Sequence, residues 1–249
     1  MFRIISGLRL GFLAILYLIC TFSAKEAIGQ AQDNDIIDAD YWYVKADSLF
    51  NVSSYDSSIL YFTKASQLYI EHDDAHGYFN TQINIANIHR ILGNYGQSEN
   101  ILKKVFLKHE DLLGSNKMLA ADYYHVLGTL YFNQGDLERA IQKLERSVEM
   151  RVESGFENDS SLALTYNNIG TTYLYLGDNS RALSFYERAL NIALDDDAAR
   201  EDPEIAMYYM NIGIVYARSG DFDKAAEYFR KNLEINEKIL NPLDLDLAL

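Results

Sequence analysis

The chain has 249 residues, 49% of them hydrophobic and 13% aromatic, with two prolines and one cysteine. This supplies a sizeable buried core and excludes an internal disulfide framework and a long disordered linker. A formal net charge of −14 argues against a phosphate-backbone footprint, which needs an excess of Lys and Arg.

In chain order, the first 31 residues differ in kind from the rest. Arg3 and Arg9 introduce an apolar run from Leu10 to Phe22. That length suits the core of a secretory leader and is short for a membrane span. Gly29 and Ala31 bracket Gln30, so cleavage is expected after Ala31; the competing reading is an uncleaved N-terminal anchor. Ile19 stands before Cys20, where a lipobox needs a small residue, which argues against lipidation. Loss of the leader would remove Cys20 and with it any thiol chemistry.

The remainder repeats. Small residues at Ala46, Ala86, Gly128, Gly170 and Gly213 recur at intervals of 40 to 43 residues. Four residues before these anchors stand Trp42, Gln82, Tyr124, Tyr166 and Tyr209. Three after stand Leu49, His89, Tyr131, Tyr173 and Tyr216. Twelve after stand Ser58, Ser98, Ala140, Ala182 and Ala225; sixteen after stand Phe62, Leu102, Leu144, Tyr186 and Phe229. Offsets of −4, −1, 0 and +3 follow one face of an α-helix, and a small residue there admits a neighbouring helix at close range. The second small residue, at +12, serves a second helix. Between them Gly135, Gly177 and Gly220 suit a helix C-terminus with positive φ, and Asp136, Asp178 and Asp221 suit the next N-cap. The spacing therefore predicts helix pairs near 38–72, 76–111, 116–154, 160–195 and 203–238. Polar linkers separate them, and Pro203 suits the first turn of a helix. Lys45 and His89 stand at positions that are apolar in the later copies. In the last nine residues, Leu247-Ala248-Leu249 matches Leu162-Ala163-Leu164 in phase, so 241–249 reads as the start of a sixth pair and the chain as part of a longer protein.

Tyr166, Ile169, Gly170, Tyr173, Ala182 and Tyr186 carry a resemblance to the tetratricopeptide repeat, which spans roughly residues 38 to 240. The common unit is 34 residues; the longer unit here is similar to those of kinesin light chains and bacterial signalling proteins, with about one added turn on each helix. The resemblance implies an all-α, right-handed α-solenoid of five helix–turn–helix hairpins with a concave side.

Residues of the first helices that would face that side are the expected ligand contacts. Position −2 supplies Asn84, Asn168 and Asn211; position +1 supplies Asn87, Thr129 and Thr171; positions +4 and +5 supply Arg90, Asn133, Tyr175 and Arg218. Asn is a poor choice inside a helix, and its amide offers donor and acceptor to a peptide backbone. In similar repeats, Asn at −2 contacts bound peptide. The alternative is that these amides bond neighbouring helices. The basic clamp that related co-chaperones use for a C-terminal carboxylate needs Lys or Arg at several positions that are neutral here.

Other candidate chemistry is weaker. His72 and His76 have a metal-compatible spacing but lie in a linker without a third ligand. Asp195-Asp196-Asp197 lacks the alternation of a calcium loop. His109 and His125 have no triad arrangement around them, and His89 reads as a packing residue. The expectation is an exported, non-enzymatic interaction module with no cofactor or metal. Its partner is a protein or peptide segment, not nucleic acid, and it meets a membrane only through an uncleaved N-terminus or a missing C-terminal segment. The alternative function is the extracytoplasmic sensory region of a longer sensor kinase or transcriptional regulator.

Overall fold

The computed structural model describes residues 39–156, 159–195 and 203–240; the leader at 1–31 and the tail at 241–249 lie outside the described residues. Every regular element among the described residues is an α-helix. α1 covers residues 39–51. It is followed by α2 (Tyr55–Glu71), α3 (Ala75–Ile91), α4 (Tyr95–Lys108), α5 (Glu110–Ser115), α6 (Lys117–Asn133) and α7 (Leu137–Glu153). α8 (Ser160–Tyr175), α9 (Asn179–Asp195), α10 (Pro203–Arg218) and α11 (Phe222–Leu240) complete the order. The chain divides into two compact units, Met1–Ile88 and His89–Leu249. In the second unit α6 pairs with α7, α8 with α9 and α10 with α11, and each pair packs on the next through α7–α8 and α9–α10. This is the all-α solenoid class that the repeat implied.

The anchors work by closeness. A Cβ placed on Gly128, Gly170 or Gly213 would lie 2.7, 2.8 or 2.6 Å from the side chain sixteen residues on, respectively Leu144, Tyr186 and Phe229. The repeat's two signature positions therefore meet across each hairpin. The +12 residues Ala140, Ala182 and Ala225 are buried beside them.

Each hairpin turn is fixed by the Gly-Asp pair. Gly135, Gly177 and Gly220 adopt φ of 82°, 82° and 83°, a region open to Gly without steric cost. Asp136, Asp178 and Asp221 then accept the backbone N–H groups of Arg139, Arg181 and Lys224. Those three side chains turn back to pair with the same carboxylates. They also lie over the +3 rings: Arg139 over Tyr131, Arg181 over Tyr173 and Lys224 over Tyr216, at 4.5, 4.3 and 4.9 Å. Hydrogen bonds from the arginines hold the Asp136 and Asp178 carboxyls below their usual range. In the first unit the turn after α1 has no glycine, and Ser53 takes the left-handed conformation instead, at φ 58°.

Two departures from the repeat are accommodated locally. Lys45 lies 5.2 Å from the Trp42 ring and 4.4 Å from that of Tyr61, so its charge rests on aromatic faces where later copies have an aliphatic chain. His89 is half-buried, consistent with packing. The second pair was expected to run to residue 111, but α4 stops at Lys108 and His109 joins it to the separate six-residue α5. The His72–His76 stretch is a cap: Asp74 Oδ1 accepts from the N–H groups of His76 and Gly77. No group of three metal-ligating side chains occurs among the described residues.

Candidate functional site

The first helices α6, α8 and α10 of the second unit lie side by side, and their polar residues form a row of bonds at the repeat interval. His125 on α6 meets Thr165 on α8, with Nδ1 at 2.9 Å from Oγ1. Thr165 spends its own hydroxyl proton on the Ser161 carbonyl, so Nδ1–H is the donor to Thr165. Asn168 Nδ2 approaches His125 Nε2 at 3.4 Å, which makes Nε2 the acceptor. One step along, Asn211 Nδ2 donates to Asn167 Oδ1 at 2.7 Å. At the far end of the same helices, Arg218 Nη1 donates to the Leu174 carbonyl at 3.1 Å. The Tyr175 ring packs edge-on against Phe132, with centroids 5.1 Å apart.

The structure thus gives the predicted residues different roles. Asn168, Asn211, Tyr175 and Arg218 bridge adjacent first helices. Tyr175 remains 69% exposed and Arg218 is exposed, so both also reach solvent. Thr129 and Thr171 face inward. Thr129 bonds the carbonyls of His125 and Val126 on its own helix. Thr171 bonds the Asn167 carbonyl and accepts the Tyr186 hydroxyl at 3.0 Å. Asn133 is half-buried at the end of α6, and Arg90 is half-buried in the second unit. In the first unit, Asn84 donates to the Tyr43 hydroxyl at 2.9 Å, and Asn87 is half-buried one turn on.

Sequence reasoning missed the −3 residues His125 and Asn167 and the hydroxyl of Tyr186. The signal was there: the equivalent of His125 and Asn167 in the second copy is Ile83, which is buried and apolar. A switch from apolar to polar at a buried helical position marks a bond to a neighbour.

His125 is held neutral. Burial lowers its pKa first, and the charges of Arg151 and Arg90 add to this, down to about 3. A second proton would go to Nε2, where the Asn168 amide already donates. Because the folded pKa is depressed, the stabilisation is complete above the unfolded value of about 6.5 and fades as pH falls below it. Unfolding experiments between pH 7 and pH 5 should show a loss of up to about 2 kcal/mol that His125→Gln largely abolishes. Equal acid sensitivity in the variant would contradict this assignment.

A row of helix pairs carrying amides, hydroxyls and a tyrosine on one set of helices defines a helical-repeat interaction scaffold. Models of the tetratricopeptide repeat match residues 77–153, 119–195 and 206–239, and the chain belongs to the tetratricopeptide repeat family. The family's repeats are protein-interaction modules. Among solved structures, BtubC from P. vanneervenii is similar at 22% identity, covering 84% of this chain and 92% of that one, with a TM-score of 0.64. A kinesin light chain from Podosopora anserina with nearly identical repeats matches at 15% identity over 80% of this chain and 95% of its own, TM-score 0.59. A signal transduction ATPase with a tetratricopeptide repeat sensor, from Pyrococcus horikoshii, matches at 20% identity over 80% of this chain and 30% of that one, TM-score 0.66. At these identities the likeness is one of fold. No curated protein matches the sequence.

Proposed function

We propose that the chain is an exported, non-enzymatic module that binds a protein or peptide segment along the first helices of its second unit. The observation that carries this reading is the Tyr175–Arg218 end of the polar row. There an exposed ring and an exposed guanidinium sit on adjacent helices, already braced by Phe132 and by the Leu174 carbonyl. Bracing limits the ordering cost of binding, and the polar side chains suit a peptide backbone. Thr129 and Thr171 act as supports, since their hydroxyls are engaged within the hairpin. Export rests on the leader pattern of residues 1–31.

A photo-crosslinking amino acid at position 175 tests this in the native cell, with position 187 on the outer face of α9 as the control. Adducts concentrated at 175 are expected, and they should fall at least about fivefold, a loss of about 1 kcal/mol in binding, when Arg218→Ala is added. Adducts of equal yield at both positions would reject the surface. A second reading, a sensory region of a larger signalling protein, is favoured by the likeness to the repeat sensor of the signal transduction ATPase. Reading the gene beyond codon 249 separates the two: a membrane span followed by a kinase or DNA-binding domain supports the second, and an early stop removes it.

A further inference from the structure

The α10–α11 pair presents as surface what the preceding pair keeps inside. Met210 is 41% exposed, Phe229 39% and Leu233 54%. The residues one repeat earlier, Asn167, Tyr186 and Leu190, are 5%, 1% and 7% exposed. In that earlier pair the covering element is α10, whose Ile205 and Ala206 join Ala189 and Leu190 in one buried cluster. The face of α10–α11 is therefore built as an interior, and among the described residues Leu233 has no counterpart of the Ile205–Ala206 cover.

The sequence supplies a counterpart in phase. Leu247-Ala248 stands 42 residues after Ile205-Ala206, which in turn stands 43 after Leu162-Ala163, and both earlier pairs are buried. Residues 154–159 separate α7 from α8 and 196–202 separate α9 from α10, and Leu162 and Ile205 are the third residues of the helices that follow. The same place for Leu247 leaves a shorter connection, 241–244, after α11, which is two residues longer than α7 and α9. Pro242 and Asp244 occupy the intervening stretch, which suits a turn into a new helix.

We propose that residues 243–249 dock on the Leu233 end of the α10–α11 face, with Leu247 and Ala248 in the places that Ile205 and Ala206 take on the preceding pair. Met210 and Phe229 lie further along the same face, nearer Gly213. Hydrogen exchange reads the contact directly. The full 249-residue chain is compared with a form ending at Leu240, each with and without Leu233→Ser. Deletion should speed exchange of the α11 amides about tenfold. Leu233→Ser should do much the same in the full chain and add little in the shortened one. The point variant Leu247→Ser with Ala248→Ser, at unchanged length, should reproduce the deletion. Unchanged exchange on deletion overturns the proposal, as does a Leu233→Ser effect that is equal in both lengths. Sedimentation supplies the remaining outcome: a full chain that is dimeric, and that Leu233→Ser renders monomeric, would assign the face to a second copy and overturn the proposal too.

Discussion

Gly170→Val is expected to destabilise the second unit by about 3 kcal/mol, whereas Gly96→Ala is expected to stabilise it by up to about 1 kcal/mol. Both glycines lie within helices; Gly costs roughly 1 kcal/mol against Ala in a helix interior and less in the first turn, where Gly96 follows Tyr95. Removing that cost is the only effect at Gly96, because a Cβ there meets nothing within 4 Å. At Gly170 the same atom would sit 2.8 Å from Tyr186 Cδ1 and 3.1 Å from the Ala182 carbonyl oxygen. Tyr186 is fully buried and its hydroxyl is held by Thr171, so the ring has nowhere to go. The carbonyl belongs to α9 itself. Valine adds two further methyl groups, so α8 and α9 must separate. A separation there also disturbs the packing of α10, which rests on α9. Native-state hydrogen exchange gives local free energies, which suits a repeat protein whose unfolding need not be all-or-none. The predicted outcome is lost protection centred on α8 and α9. If Gly170→Val proved as benign as Gly96→Ala, the close approach of anchor and +16 residue would not be what holds each hairpin.

That contrast also shows what could be read before the structure. Gly128, Gly170 and Gly213 announced themselves because a residue type tied to backbone approach recurred in register with a bulky residue sixteen on, and those two positions do touch. The Gly-Asp turns were legible for the same reason: positive φ and an N-cap each leave a distinctive residue. What stayed hidden had no residue signature of its own. α5 arises where α4 ends at Lys108 and His109 serves both as C-cap of one helix and N-cap of the next. Ser53 replaces glycine in a left-handed turn that the later copies mark with Gly. Lys45 looks like a broken apolar position until Trp42 and Tyr61 are seen to receive it.

The candidate surface was partly legible. The Asn at −2 drew attention because Asn is costly in a helix. Its immediate role in the structure is a bond to the preceding first helix, as at Asn84–Tyr43 and Asn211–Asn167. Such bonds specify the register of adjacent repeats, since a shift along the helix would strand a half-buried amide. They also pre-set the surface on which Tyr175 and Arg218 stand. Pairing of adjacent repeats and bracing of the exposed Tyr175–Arg218 surface are therefore compatible demands on one row of residues.

Arg151 links successive hairpins through two carboxylates, and its removal is expected to cost far less than removal of its partner Asp159. Arg151 is 3% exposed on α7. It pairs with Asp122 on α6 and, at 2.9 Å, with Asp159 at the start of α8. Asp159 also caps α8, because its Oδ1 accepts the Ser161 N–H. Asp159→Ala deletes the cap, worth about 1 kcal/mol, and leaves a buried guanidinium with one carboxylate fewer. Breaking a buried pair costs about 3–5 kcal/mol; with Asp122 still in place, a total near 3 kcal/mol is expected. Arg151→Met instead removes the buried charge together with its unpartnered Nε donor and fills the space with an apolar chain. The carboxylates of Asp122 and Asp159 are 45% and 26% exposed, so water can take the place of the guanidinium, and about 1 kcal/mol is the expected loss. Asp159→Asn keeps a competent cap while losing the charge, and should fall between the two. Urea unfolding of the three variants, with hydrogen exchange of α7 and α8, checks the order. An Arg151→Met loss equal to that of Asp159→Ala would mean that the ion pair itself, rather than the avoidance of an unpaired buried cation, joins these hairpins.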